Sequence, residues 1–150
     1  MLLALSTSSS AAVMPLTLST TEEKLGVRSG ISRFVIPLGT TINMGGTALY
    51  QGVATLFLAQ VFQVDIGISG MILVVVMATG ASIGSPGTPG VGIVILATIL
   101  ESVGIPPTGI ALIIGVDRIL DMCRTSVNVT GDMAASITLD KLMPEDTHKS

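Results

Sequence analysis

Apolar residues run almost without interruption through much of this 150-residue chain, and short polar stretches divide the runs. The longest run spans 34–64 and is broken by TTINMGGT at 40–47. As one helix it would measure about 46 Å, whereas the hydrocarbon core of a bilayer is roughly 30 Å thick. We therefore predict a transmembrane helix whose middle is unwound, although a simple kink at Gly45-Gly46 fits the same pattern.

Two further segments are predicted to enter the membrane and turn back. Residues 1–19 place a serine-rich tip, Ser6 to Ser10, between apolar arms, which fits a re-entrant hairpin with a truncated first arm or a flexible linker. Residues 66–103 carry two apolar runs around SIGSPGTPGVG. The second of these runs would be roughly 20 Å long, too short to cross a bilayer, so we predict a second re-entrant hairpin.

The last apolar segment predicts one continuous transmembrane helix over 109–139, with Thr108 as its N-cap and a polar tail at 140–150. At about 100° per residue, its polar side chains fall within one stripe roughly 100° wide. The stripe consists of Asp117, Asp121, Arg124, Thr125, Asn128 and Asp132. An acid or arginine at the bilayer centre costs about 2.5–3.5 kcal/mol, against about 0.3–0.6 kcal/mol gained per Leu, Ile or Val. The stripe is therefore expected to line a polar site inside the protein.

Composition favours several membrane passes over one soluble domain. Hydrophobic residues make up 49% of the chain, charged residues 11%, and the mean hydropathy is +0.80, whereas soluble domains carry about 25% charged residues. We predict an all-α, multi-pass membrane protein surrounded by membrane lipid. The net charge of −3 argues against a nucleic-acid partner, and a single Cys123 and a single His148 exclude an internal disulfide and a zinc cluster.

The positions of basic residues predict the topology. The most charged loop, 20–33, is expected to be solvated. Outside the apolar segments the basic residues are Lys24, Arg28, Arg33, Lys141 and Lys149. By the positive-inside rule this loop and the C-terminus are cytoplasmic. The two hairpins would then enter from opposite sides, which is typical of inverted-repeat transporters.

The first residues, MLLALSTSSSAA, lack the basic segment of a signal peptide, and their apolar run ends at Leu5. We interpret the chain as starting inside a structural element, as a fragment of a longer protein would. A hairpin with one short arm is expected not to support transport without helices supplied elsewhere.

Four motifs, STSSSAAVMP, TINMGGTALYQG, SIGSPGTPGVG and DRILDMCRTSVNVTGD, occur in this order. Together they resemble the dicarboxylate/amino acid:cation symporter family of the glutamate-transporter type, and the resemblance covers nearly the whole chain. It implies sodium-coupled symport of glutamate or aspartate by alternating access, with sodium ions co-transported. It also implies a homotrimer for the full-length protein, built on N-terminal scaffold helices that this chain lacks.

The resemblance assigns nine residues to the substrate: Ser9, Ser10, Thr47, Thr88, Gly92, Asp121, Arg124, Thr125 and Asn128. Arg124 would bind the side-chain carboxylate and Asp121 the ammonium group. Asn128 and Ser10, with backbone at the hairpin tips, would hold the α-carboxylate. The planar fork of an arginine suits a carboxylate, which agrees with the first assignment.

The resemblance also implies two sodium sites. The first comprises Gly39, Asn43, Asn128 and Asp132, and the second comprises Thr41, Ser82, Ile83 and Ser85. Met44 is implicated in cation binding as well. Carboxylate, amide and carbonyl oxygens are the ligands that hard cations prefer.

The chain departs from the family pattern in two respects. Gly45 replaces the acid of the usual NMDGT motif, which the family uses at a further sodium site, so the number of coupled ions stays open. Ser8 and Met122 stand where different members carry a second arginine. Arg124 is therefore expected to act without a cationic neighbour.

Other functions fit parts of the sequence. C4-dicarboxylate symport would leave Asp121 without an ammonium group to meet, and a truncated, inactive product would keep the motifs unused. An intramembrane aspartyl protease needs paired aspartates, but TGD at 130–132 differs from GxGD, and Arg124 would keep Asp121 ionised. We predict a transporter and not an enzyme.

Overall fold

The computed structural model describes residues 2–85 and 88–143, and in this part of the chain all regular structure is helical. The helices are α1 (Leu2–Thr7), α2 (Ser10–Glu23), α3 (Ser29–Ile42), α4 (Gly45–Val61), α5 (Gly67–Ser82), α6 (Val91–Ser102) and α7 (Ile110–Leu142), with a 3-10 turn at Pro107–Gly109 before α7. The predicted all-α class is confirmed. Across these described ranges, the length and apolar content needed to cross a membrane are not combined in any helix.

The break between α3 and α4 is short. Helical backbone stops at Ile42 and resumes at Gly45, and only Asn43 and Met44 lie between, with ψ angles of 64° and 45°. Gly45 and Gly46 themselves belong to the first turn of α4. The alternative of a kink at the Gly-Gly pair is therefore wrong, because the chain departs from the helix before it reaches the glycines.

Both predicted hairpin segments contain two helices. In the first, Ser8 has a φ of +51°, a left-handed value that is uncommon for a side chain other than glycine. Ser9 then caps α2 by accepting a hydrogen bond from the Ala12 amide, with a Ser9 Oγ to Ala12 N distance of 3.2 Å. In the second, residues 83–90 join α5 to α6, and Pro86 and Gly87 of the predicted tip lie outside the described residues. Membrane re-entry stays a prediction for both.

The predicted solvated loop at 20–33 is wrong in its extent. Helix α2 continues to Glu23 and α3 begins at Ser29, so the two helices occupy most of that segment. Ser32 donates a hydrogen bond to the Glu22 carboxylate over 2.7 Å, and Arg33 forms an ion pair with the same carboxylate at 3.2 Å. These bonds pair charged groups across the turn, where α2 packs against α3.

The two ends of α7 also differ from the prediction. Thr108 does not cap the helix: it lies inside the 3-10 turn, and the cap position is Gly109, where a Cβ would come within 2.5 Å of the Phe62 ring. At the other end α7 continues to Leu142, past the predicted start of the polar tail. Residues 144–150 of that tail lie outside the described residues.

Helix α7 is the centre of the fold and packs against α1, α2, α3, α4 and α6. Its apolar support comes from a cluster in which Leu58 of α4 and Leu96 and Leu100 of α6 are fully buried, together with Ile105 before α7. Because helices surround α7 on several sides, its polar stripe is enclosed by protein.

Candidate functional site

The polar stripe of α7 is buried along its whole length. The side chains concerned are Asp117, Asp121, Arg124, Thr125, Asn128 and Asp132. Burial of these groups confirms the prediction that the stripe faces the inside of the protein. Charged side chains are rarely buried inside a protein unless they form ion pairs or hydrogen bonds with other groups.

Arg124 lies at the middle of the stripe and is only 5% exposed. Its Nη2 is 2.8 Å from Asp121 Oδ1 and 3.6 Å from Asp117 Oδ1. Its guanidinium carbon lies 4.1 Å from the centre of the Tyr50 ring, and the Tyr50 hydroxyl donates a hydrogen bond to Asp117 Oδ1 over 3.0 Å. Two carboxylates and an aromatic face thus hold the arginine in place.

The hydrogen-bonding capacity of Arg124 is only partly used. Both terminal nitrogens are buried and make no aligned hydrogen bond to any described residue, so the short contact with Asp121 is an ion pair without hydrogen-bond geometry. A guanidinium has five N–H donors, and leaving them unmet in a buried place is costly. The site therefore keeps donors available for a further acceptor.

These donors line a cavity of about 20 Å³, which holds roughly one water-sized sphere. The hairpin segments and α4, α6 and α7 all contribute to its wall. The lining residues are Ser8, Ser10, Met44, Thr47, Ser85, Thr88, Val91, Gly92, Asp121, Arg124, Thr125 and Asn128. Eight of the nine residues assigned to the substrate thus lie around one cavity.

Gly92 lies directly against the guanidinium of Arg124. A Cβ at this position would overlap Nη1 and Cζ of the arginine. Only glycine fits there without displacing the charged group, and this explains in physical terms why the residue belongs to the cavity wall.

The ninth residue, Ser9, has a different place. Its hydroxyl caps α2 by accepting a hydrogen bond from the Ala12 amide, and Ser9 is not part of the cavity lining. Its neighbour Ser8 lines the cavity instead, with a buried hydroxyl that has no hydrogen-bond partner among the described residues. The serine-rich tip is thus divided between a structural role and a cavity-facing role.

The first predicted cation set meets where α7 passes the break between α3 and α4. Asn43 Nδ2 donates to Asp132 Oδ1 over 2.9 Å, and Gly39 lies so close to that carboxylate that a Cβ would overlap it. One turn earlier on α7, the Gly46 amide donates to Asn128 Oδ1 over 2.7 Å. The arrangement concentrates carboxylate and amide oxygens beside backbone that has left the helix.

The second predicted cation set lies where α5 ends against α3. The Gly84 amide donates to the Thr41 carbonyl over 2.8 Å, which brings the two segments together. Ser82 and Ser85 are buried, whereas the Ile83 side chain is 58% exposed. Because an isoleucine side chain has no ligand atom, only the backbone carbonyl of Ile83 could bind a cation.

Sequence reasoning assigned neither Tyr50 nor Asp117 to substrate or cation binding. Asp117 carried a signal, because it lies in the same stripe one turn before Asp121. Tyr50 carried a weaker one, since it follows Thr47 by three residues on α4 and so shares its face. Its contact with Arg124 depends on how α4 is rotated against α7.

Comparison with known proteins gives a family and several relatives. The family model described as "Sodium:dicarboxylate symporter family" matches residues 1–142. Excitatory amino acid transporter 3 of Homo sapiens is 45% identical over 146 residues, which is 97% of this chain and 28% of that protein. Excitatory amino acid transporter 1 of Rattus norvegicus is 50% identical over 129 residues, or 86% of this chain and 24% of that protein. The chain thus spans about a quarter of the length of the curated relatives it matches.

Proposed function

Because this chain belongs to the sodium:dicarboxylate symporter family, we propose that it forms the part of a symporter that binds an acidic amino acid together with co-transported sodium ions. The relatives named above are excitatory amino acid transporters, and this is a family of transporters and not of enzymes. The substrate proposed here is glutamate or aspartate.

The observation that carries this proposal is the buried pairing of Arg124 with Asp121 at the cavity. An acidic amino acid has a side-chain carboxylate and an ammonium group, and these two charges match a guanidinium and a carboxylate. In our proposal Arg124 binds the side-chain carboxylate of the substrate, and Asp121 binds its ammonium group. The α-carboxylate lies near Asn128 and Ser10, with Thr47 and Thr125 completing the wall.

Cations are proposed to bind at two places near the end of α3. Gly39, Asn43, Asn128 and Asp132 form the first sodium set, and the backbone at Thr41 and Ile83 joins Ser82 and Ser85 in the second. Sodium is a hard cation and prefers such oxygen ligands. Sodium is a co-substrate here, so its removal is expected to weaken amino acid binding.

Two carboxylates beside Arg124 favour an amino acid over a C4-dicarboxylate. Asp117 and Asp121 both lie within 3.6 Å of the guanidinium and partly neutralise it. A dicarboxylate would bring two negative charges and nothing to pair with Asp121. An ammonium group removes that repulsion.

For the whole protein we propose a multi-pass membrane location with a cytoplasmic C-terminus. The two hairpin segments would be re-entrant, and α3–α4 and α7 would form the broken and the continuous crossing. Scaffold helices and a homotrimer would come from protein outside this chain, which spans 28% of its human relative. The core would move against that scaffold to give alternating access.

Calorimetric titration of the purified chain tests the binding proposal. We expect aspartate or glutamate to bind in sodium chloride and not in choline chloride, and succinate not to bind in either. Equal binding of succinate would favour the dicarboxylate alternative. Absence of sodium-dependent binding for all three ligands would contradict the proposal that this chain holds the sites.

A further inference from the structure

Beyond the cavity, polar residues continue along the buried face of α4 for two more turns. Thr47, Gln51 and Thr55 follow one another at intervals of four residues and so lie on one face of the helix. Thr47 lines the cavity, while Gln51 and Thr55 are completely buried, each 0% exposed. This row of polar residues ends at Leu58, which is also fully buried.

The side-chain polar atoms of Gln51 and Thr55 have no hydrogen-bond partner among the described residues. Within the described residues, neither Nε2 nor Oε1 of Gln51 makes a hydrogen bond, and neither does Oγ1 of Thr55. Other buried threonines in the chain differ, because Thr21 and Thr40 donate to the carbonyl four residues earlier over 2.7 and 2.8 Å. Three unpaired buried atoms in two adjacent turns are exceptional, since nearly all such groups in folded proteins are bonded to protein or to water.

We propose that Gln51 and Thr55 form an internal water-binding site that is reached from the cavity past Thr47. A water molecule can donate two hydrogen bonds and accept two, so one molecule can meet the amide oxygen, the amide N–H and the threonine hydroxyl together. A cation suits the site poorly, because neither residue carries a negative charge. Because the row of polar residues ends at the fully buried Leu58, the proposed site does not form a path across the protein.

Water at Gln51 can be detected directly in the unmodified chain. Nitrogen-15 labelling of glutamine side chains gives separate amide signals for Gln51, Gln60 and Gln63, and the last two are exposed. We expect the Gln51 amide protons to show cross-relaxation with a long-lived water, whereas the exposed pair shows only fast surface hydration. A direct hydrogen bond between Gln51 and Thr55, or no cross-relaxation with water, would overturn the proposal.

Thermal unfolding of variants provides a second readout. Thr55→Val should lower the Tm by about 2–5 °C, because the bound water loses one partner and the space stays the same size. The double variant Gln51→Met with Thr55→Val should recover part of that loss, since it removes the need for water altogether. A Tm that is unchanged or raised in Thr55→Val would overturn the proposal, because it would mean that the hydroxyl had been buried without a partner.

Thr21→Val is the matched control. It removes a hydroxyl that is equally buried but bonded to the Thr17 carbonyl, so it reports the cost of losing an ordinary helix hydrogen bond. Neither measurement needs sodium or an amino acid. Failure of this inference is therefore separate from failure of the proposed transport function.

Discussion

Tyr50 holds Arg124 and Asp117 at once: its ring lies 4.1 Å beneath the guanidinium, and its hydroxyl donates to the carboxylate that also faces that guanidinium. One side chain of α4 thereby fixes a charge pair on α7. Since arginine has many rotamers, this double contact lowers the entropy lost when the guanidinium meets a ligand.

Replacing Tyr50 should separate its two roles. Tyr50→Phe keeps the ring beneath Arg124 and loses the bond to Asp117, so we expect aspartate affinity to fall about 2- to 10-fold. Tyr50→Leu also loses the aromatic face and should lower the affinity further. Calorimetric titration of both variants with aspartate in sodium chloride shows which variant binds more weakly. Equal affinity of the two variants would show that the ring contributes nothing.

Arg124→Ser should remove acidic-substrate recognition. The change deletes the only guanidinium that lines the cavity within the described residues, and we expect aspartate to bind about 10- to 100-fold more weakly. Preference for aspartate over asparagine should disappear, because only aspartate has the side-chain carboxylate. Arg118→Ser is the control, since Arg118 is an exposed arginine on the same helix. Retention of full aspartate affinity in Arg124→Ser would refute the assignment.

Gly39→Ala should weaken sodium binding. The new methyl group would overlap the Asp132 carboxylate and push it away from Asn43. We expect the sodium concentration for half-maximal aspartate binding to rise about 10-fold. Gly52→Ala is the matched control in α4, because its methyl group would enter open space. If both variants keep the wild-type sodium dependence, Gly39 does not border a cation site.

Gly45→Asp should add a cation ligand. Gly45 is exposed at the start of α4, and a side chain there meets no atom within 4 Å, so the carboxylate has room. We expect a steeper dependence of aspartate binding on sodium concentration. Gly45→Asn, which has the same shape without the charge, should leave the slope unchanged. An unaltered Hill slope and sodium affinity in Gly45→Asp would place the residue away from any cation.

Acid should loosen the turn between α2 and α3 and its attachment to α7. The hydrogen bond from Ser32 lowers the pKa of Glu22, and the bonds from Arg28 lower the pKa of Asp140. A lowered pKa in the folded state means that these groups stabilise the fold above the pKa of the unfolded chain. Their contribution is lost as the pH falls below about 4.

Thermal unfolding from pH 7 to pH 3 tests this expectation. The decline in Tm on acidification should be smaller in Glu22→Gln and in Asp140→Asn than in the wild-type chain. Glu101→Gln, which changes an exposed carboxylate on α6, serves as the control. Parallel pH profiles for all four proteins would contradict the expected link between these two groups and acid stability.

The sequence was most informative where charged residues recur at helical spacing, because such residues are costly to expose to lipid. Asp121 and Asp132 lie on one helical face that lipid could not accept, so the buried stripe could be predicted from spacing alone. The place of Tyr50 could not, because it depends on the rotation of one helix against another. The turn near Glu22 was misjudged for a related reason: charged residues usually indicate solvent, but here a hydroxyl of α3 accommodates the carboxylate.

The two-residue break at Asn43 and Met44 has an electrostatic consequence. A helix terminus carries about half an elementary charge, negative where its carbonyls end and positive where its amides begin. Helix α3 ends at this break and α4 begins there, so one interruption presents both polarities side by side. A cation bound near the end of α3 and a carboxylate bound near the start of α4 would each make binding of the other more favourable. Such linkage is reciprocal, so binding of either charge would strengthen binding of the other by the same factor.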